Sequence, residues 1–175
     1  MWDPAPGFVP PPIVLQFDPA GKLLKSFGSG LFAYPHGFTV DKDGNLWTSD
    51  VNDEAVVLGM SAKNAAGQVR GQEVLKLSPD GKVLMTLGKM GVSGNGHDTF
   101  DRPTGVAIAP NGDIIFADGH WPRPSISPPD GDRLVRLSVD GKFLAEWRQF
   151  GRPSGEYGLD PPRERTVFGQ RLAQR

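Results

Sequence analysis

Short apolar runs alternate with tight polar turns along most of this chain, at a spacing that suits strands and leaves no room for long helices. The runs pair as 13–17 with 23–27, 37–40 with 46–50, 74–77 with 83–87, 105–108 with 114–118, and 134–137 with 143–147. A turn holding Gly21, Gly44, Gly81, Gly112 or Gly141 joins each pair. Glycine supplies the positive φ that a hairpin turn needs, and Asp or Asn beside it favours the same geometry. Five such hairpins predict an all-β fold. Two kinds of hairpin alternate, and Gly21, Gly81 and Gly141 stand 60 residues apart, so the unit is a four-stranded repeat. Self-similarity on this scale points to a propeller or an array.

Composition narrows the function classes. The 175 residues suit one domain with a real core, and 38% hydrophobic content excludes a disordered chain. Gly (23) and Pro (17) approach a quarter of the chain, which favours short strands and many turns. A net charge of −1 gives no basic footprint, so nucleic acid is not expected as a partner. No apolar run nears the roughly 20 residues of a membrane helix, so no membrane span is expected. The start, Met1-Trp2-Asp3-Pro4, lacks a charged n-region and an apolar h-region, so no signal peptide is expected there. The chain has no cysteine, which removes disulfides, thiolate catalysis and Cys-based zinc fingers but leaves the compartment open.

Particular residues carry a family resemblance. Phe27-Gly28 and the run 34–50, Tyr-Pro-His-Gly-Phe-Thr-Val-Asp-Lys-Asp-Gly-Asn-Leu-Trp-Thr-Ser-Asp, resemble a blade of an NHL-repeat β-propeller. More narrowly they resemble the peptidyl-α-hydroxyglycine α-amidating lyase branch (peptidylamidoglycolate lyase). Pro103-Thr104-Gly105-Val106, the run 116–119 and the run 140–147 match as well, and the resemblance covers roughly residues 10 to 158. It implies a six-bladed ring. Counting strands outward as A to D, residues 13–27 supply half a blade, 37–87 a whole blade and 105–147 another. The expectation is therefore an all-β, NHL-type propeller of about two and a half four-stranded blades, where propellers close with typically four to eight. Residues 1–12 read as a Pro-rich N-terminal segment, 13–158 as the partial propeller and 159–175 as an atypical Arg-rich tail. Either the chain is a fragment or partner chains complete the ring, and the fragment is the preferred expectation. The tail reads as unrelated, frameshifted or truncated sequence, or as a short polar helix.

Strand parity assigns faces without help from the family. All five Gly turns fall on one face; Pro35-His36 and the connections 50–72, 88–103 and 118–132 fall on the other. His36, His97 and His120 all lie on that second face, beside the longest loops, where function concentrates. His36 starts an innermost strand and reads either as a zinc ligand or as a hydrogen-bonded strand cap. In the resembling family three Pro-His strand starts hold a catalytic zinc. His36 matches the first; the second would fall near Pro161-Pro162, where this chain has Pro; the third lies in blades it lacks. His120 stands where the lyase carries a Tyr proposed as the base on the substrate hydroxyl. It reads as a replacement base, since an unperturbed imidazole has a pKa of about 6.5, or as a surface histidine. His97 reads as a solvated loop residue. The resemblance also implies a structural calcium held by a backbone carbonyl at Phe38. Asp50 and Asp118 end B strands and read as ion or hydroxyl binders or as loop-starting residues. The run 41–45 lacks the spaced carboxylates of a calcium loop and reads as a hairpin turn. Trp47 and Phe116 read as inter-blade core, and no phosphate loop or nucleophile elbow is present.

These readings lead to a fragment or relative of a zinc-dependent lyase that cleaves peptidyl-α-hydroxyglycine-type carbinolamides to amide and glyoxylate. The chain by itself is expected to be inactive, because its ligand set is incomplete. The alternative is a non-catalytic NHL propeller that binds protein or peptide on its loop face. A calcium-dependent lactonase-like propeller ranks last, since that family favours Asn where Thr104 stands. The expected partners are a peptide or small amide substrate, or a protein. The compartment is unassigned, with export of the parent protein implied by bacterial relatives.

Overall fold

The computed structural model describes residues 11–52, 68–119 and 133–148. Among them are ten strands and no helix: β1 (Val14–Phe17), β2 (Leu23–Phe27), β3 (Pro35–Val40), β4 (Leu46–Asp50), β5 (Glu73–Leu77), β6 (Val83–Gly88), β7 (Pro103–Ile108), β8 (Ile114–Asp118), β9 (Arg133–Leu137) and β10 (Phe143–Arg148). They form a β1–β2 hairpin, a sheet in the order β3-β4-β5-β6 and a sheet in the order β7-β8-β9-β10, with every neighbouring pair antiparallel. This is the expected half blade followed by two whole blades, a partial propeller. In each Gly turn the glycine has φ between 81° and 88°, and its N–H donates to a carbonyl three residues back, as from Gly44 to Asp41 at 3.0 Å. The run 41–45 is such a turn, as expected.

The inner strands start two residues earlier than the apolar pattern suggests. In β3 a register shift between Pro35 and Phe38 makes His36 and Gly37 together oppose Ser49; in β7 Thr104 and Gly105 do the same opposite Ala117. Such a bulge breaks the alternation that a strand is recognised by.

Alternation in the middle sheet splits its apolar residues between two interfaces. Leu46, Leu75 and Leu77 face the hairpin, packing with Val14 and Phe27. Trp47, Val74 and Leu87 face the other way, packing with Ile114, Phe116, Val135 and Leu137 of the next sheet. Trp47 and Phe116 are thus inter-blade core, at 2% and 1% exposure. The two sheets come closest where β3 and β4 meet β7. There a Cβ on Gly37 would collide with the Thr104 carbonyl, which accepts a hydrogen bond from the Ser49 hydroxyl; only glycine permits that approach. The outer faces of the end units remain open: Leu15 and Phe17 on the hairpin, Leu134 and Trp147 on the last sheet. Of the expected segments, residues 1–10 of the N-terminal segment 1–12, the boundary at 158 and the whole tail 159–175 lie outside the described residues.

Candidate functional site

His36 lies in the β3 bulge at the start of an inner strand, and the residue is exposed. The ring centroid lies 6.3 Å from that of Tyr34, tilted by 56°. His36 and Phe38 line a groove of about 270 Å³ together with Leu15, Phe32 and Thr48. The groove is therefore apolar with one titratable group at its wall. Phe38 sits in the ladder opposite Thr48 with its side chain largely exposed. Among the described residues, no group of three or more His, Asp or Glu side chains gathers to hold a metal ion. One imidazole does not make a catalytic zinc site, which takes three protein ligands. The described residues therefore do not complete the zinc site that the resemblance implies. Position 161–162 and His120 both lie outside the described residues.

His97 is exposed in its surface loop, as expected. Its ring also stacks on Phe143 of β10, with centroids 3.7 Å apart and planes within 6°. The structure brings His36 and Phe38 to one groove and ties His97 to β10.

Behind the loop face lies a layer of buried charge. The Asp50 carboxylate accepts the N–H groups of Ala33 (2.9 Å) and Tyr34 (2.7 Å), and Asp118 accepts the N–H of Asp101 (2.7 Å). In each sheet the aspartate ending strand B clamps the segment entering strand A. A backbone bond reinforces each clamp, from Val51 N–H to the Tyr34 carbonyl and from Gly119 N–H to the Arg102 carbonyl. Of the two readings for these aspartates, the loop-anchoring one describes their contacts.

Their second partners differ. Asp118 faces Arg133 across the ladder, 2.9 Å apart and fully buried. Arg133 also donates to Glu146 and to the carbonyls of Asn95, Gly96 and Thr99, pinning the loop that carries His97. Asp50 instead faces Glu73, and Arg70, 3.0 Å from Glu73, serves both carboxylates. Burial pushes Asp50 up to about 6, opposed by the Ala33 and Tyr34 amides and by Arg70. Burial, with Asp50 adding to it and Arg70 opposing it, pushes Glu73 up to about 7. Asp118 is pushed up to about 6 by burial against the pull of Arg133.

Sequence reading missed Arg70, Glu73 and Arg133. The clamps themselves left a signal, since Asp50 and Asp118 each follow their hairpin glycine by the same interval. Their partners left none, because each stands beyond a long connection. Chemically, the buried carboxylates hold the loop face in place, and His36 stands exposed at the groove wall.

No protein-family model matches the chain. It is 31% identical over 125 residues to a probable peptidyl-alpha-hydroxyglycine alpha-amidating lyase of Caenorhabditis elegans, covering 71% of this chain and 28% of that protein. It is 31% identical over 140 residues to peptidyl-alpha-hydroxyglycine alpha-amidating lyase 1 of Drosophila melanogaster, covering 78% and 21%. It is 34% identical over 136 residues to peptidyl-glycine alpha-amidating monooxygenase A of Xenopus laevis, covering 77% and 12%. The chain therefore spans less than a third of the length of these relatives. A crystal structure of a protein of unknown function from Bacteroides caccae matches 77% of this chain and 41% of its own with a TM-score of 0.44 at 13% identity, too loose a likeness to bear on function. Over most of its length, this partial propeller is a relative of the peptidyl-α-hydroxyglycine α-amidating lyases and the amidating monooxygenases.

Proposed function

We propose that this chain is the part of a zinc-dependent lyase of peptidyl-α-hydroxyglycine-type carbinolamides that presents His36 as one metal ligand. The observation that carries the reading is an exposed His36, in a strand-start bulge and lining an apolar groove, in a chain similar to amidating lyases. An apolar groove beside a polar anchor suits a peptide end, with the side-chain part packed against Phe32 and Leu15. The remaining ligands would come from residues outside those described, and zinc, when bound, would supply Lewis acidity toward the substrate. His120 is the proposed proton acceptor. The Phe38 carbonyl is the proposed ligand of a structural calcium.

The test is zinc retained after dialysis, measured by elemental mass spectrometry, alongside glyoxylate released from a peptidyl-α-hydroxyglycine. The reading expects His36→Ala to lower retained zinc at least tenfold, with any glyoxylate release falling to background. Zinc retention unchanged by that substitution sinks it. The second reading, a peptide-binding propeller without catalysis, draws on the absence of a metal-ligand cluster among the described residues. It expects peptide binding in the groove, lost on Phe38→Asp and indifferent to a chelator.

A further inference from the structure

The guanidinium of Arg70 has two neighbours of different kinds. One is Glu73, whose Oε1 lies 3.0 Å from Nη2 yet accepts no hydrogen bond among the described residues. The other is Met90, whose Sδ accepts from Nη1 at 2.7 Å. The Nε–H of the same buried side chain has no acceptor among the described residues. The two segments are fixed side by side: the Gly91 N–H donates to the Gly71 carbonyl at 2.7 Å, and a Cβ on Gly91 would collide with Val69. Arg70 is also the cation that serves the buried Asp50 and Glu73, and Asp50 holds the N–H groups of Ala33 and Tyr34. A thioether therefore touches the cation on which that acid pair depends.

Met90 differs from the other methionine among the described residues. Met85 packs against the core between the two sheets, whereas Met90 is 36% exposed. Exposure governs attack on a thioether, and sulfur keeps a second lone pair beside the one that Arg70 occupies. We propose that Met90 is a site of oxidation by hydrogen peroxide, and that its sulfoxide draws Arg70 away from Glu73 and Asp50. The sulfur attacks one peroxide oxygen and the O–O bond breaks. The departing hydroxide takes the proton of the transferred oxygen, so the products are sulfoxide and water. Sulfur gives up two electrons and the peroxide takes them. A sulfoxide oxygen is a far stronger acceptor than a thioether, and the idle Nε–H and the poorly directed Glu73 contact leave the guanidinium able to turn to it. Buried acids that lose their cation are destabilised, which loosens the clamp on Ala33 and Tyr34. The equivalent clamp of Asp118 on Asp101 relies on Arg133, whose partners are carboxylates and carbonyls, so it is insulated from this change.

The full-length chain is treated with hydrogen peroxide, followed by peptide mass spectrometry, and amide exchange is compared before and after. Met90 should gain one oxygen at least about fivefold faster than Met85. Oxidation should speed exchange at Ala33 and Tyr34 about tenfold and leave Asp101 within about twofold of its starting rate. Methionine sulfoxide reductases for both epimers should restore the slow exchange. Met90→Leu should abolish the response to peroxide. Met90→Gln, which places an amide oxygen at similar reach, should speed exchange at Ala33 and Tyr34 without peroxide. Should Met90→Leu fail to fold, the contrast between Ala33 and Asp101 and its reversal by the reductases decide. Equal oxidation of the two methionines overturns the proposal. So does exchange at Ala33 and Tyr34 that ignores oxidation or rises equally at Asp101, and so does a response that survives Met90→Leu.

Discussion

In the sheet β3–β6, Val74 and Leu87 are 0% and 6% exposed, whereas Leu134 and Trp147, at the same positions of β7–β10, are 41% and 51% exposed. The two sheets share strand order, turn geometry, the inner-strand bulge and the aspartate clamp. What separates them is what lies alongside. The middle sheet is covered on both faces, so every residue of β5 except Lys76 is buried, while β9 alternates between buried and half-exposed or exposed. Their buried charges diverge as well. Asp118 faces Arg133, which also reaches the half-buried Glu146, whereas the buried Asp50 and Glu73 face each other and share Arg70. A repeat position thus sets which way a side chain points, and the neighbouring element decides what that direction means energetically.

Breaking the buried Asp118–Arg133 pair should have the largest effect. Arg133→Ala leaves Asp118 buried without its cation and strips the carbonyls of Asn95, Gly96 and Thr99 of their donor. A loss of about 3–5 kcal/mol in urea unfolding is expected, together with greater amide exchange in the His97 loop. A smaller loss, near that of a surface ion pair, would mean that the pair contributes little to holding the loop.

Leucine deletions at one repeat position sharpen the contrast in packing. Leu75 is 1% exposed and Leu15, its counterpart in the hairpin, is 49% exposed. Leu75→Ala should cost about 2–5 kcal/mol and Leu15→Ala less than about 1 kcal/mol, measured by urea unfolding in dilute protein. Equal costs would show that the hairpin's outer face is covered in solution.

The shared Arg70 predicts the smallest effect, a dependence on pH. Asp50, Glu73 and Asp118 have folded values raised to about 6, 7 and 6, so the folded chain holds more protons than the unfolded one above pH 4. Stability from these groups is therefore greatest at low pH and is lost as pH rises through 6 to 7. Surface carboxylates such as Asp98 and Asp140, held low by Lys89 and Lys142, are ionised in both states across that window and do not mask the slope. The melting temperature should fall between pH 5 and pH 8. Glu73→Gln should flatten that fall and stabilise the protein at pH 8 by about 1 kcal/mol. A melting temperature that rises from pH 5 to pH 8 would contradict the assigned direction.

The candidate site was legible only in part. Pro35-His36 could be read as the start of an inner strand, because proline after an apolar loop and glycine after the histidine both punctuate the chain. The bulge at His36 and Gly37 breaks the alternation by which a strand is read, and the approach of β3 to β7 that requires Gly37 depends on a strand more than 60 residues away. Sequence spacing carries no such information.

By itself the sequence determined the ten strands, the five turns, the repeat and the face that carries the loops, because alternation and positive φ are local properties of the chain. Tertiary structure alone decided which of two equivalent faces is buried, which arginine answers which carboxylate, and how far a buried acid is pushed toward neutrality. Those quantities depend on the water removed and the charge brought close by elements distant in sequence, so no local pattern encodes them.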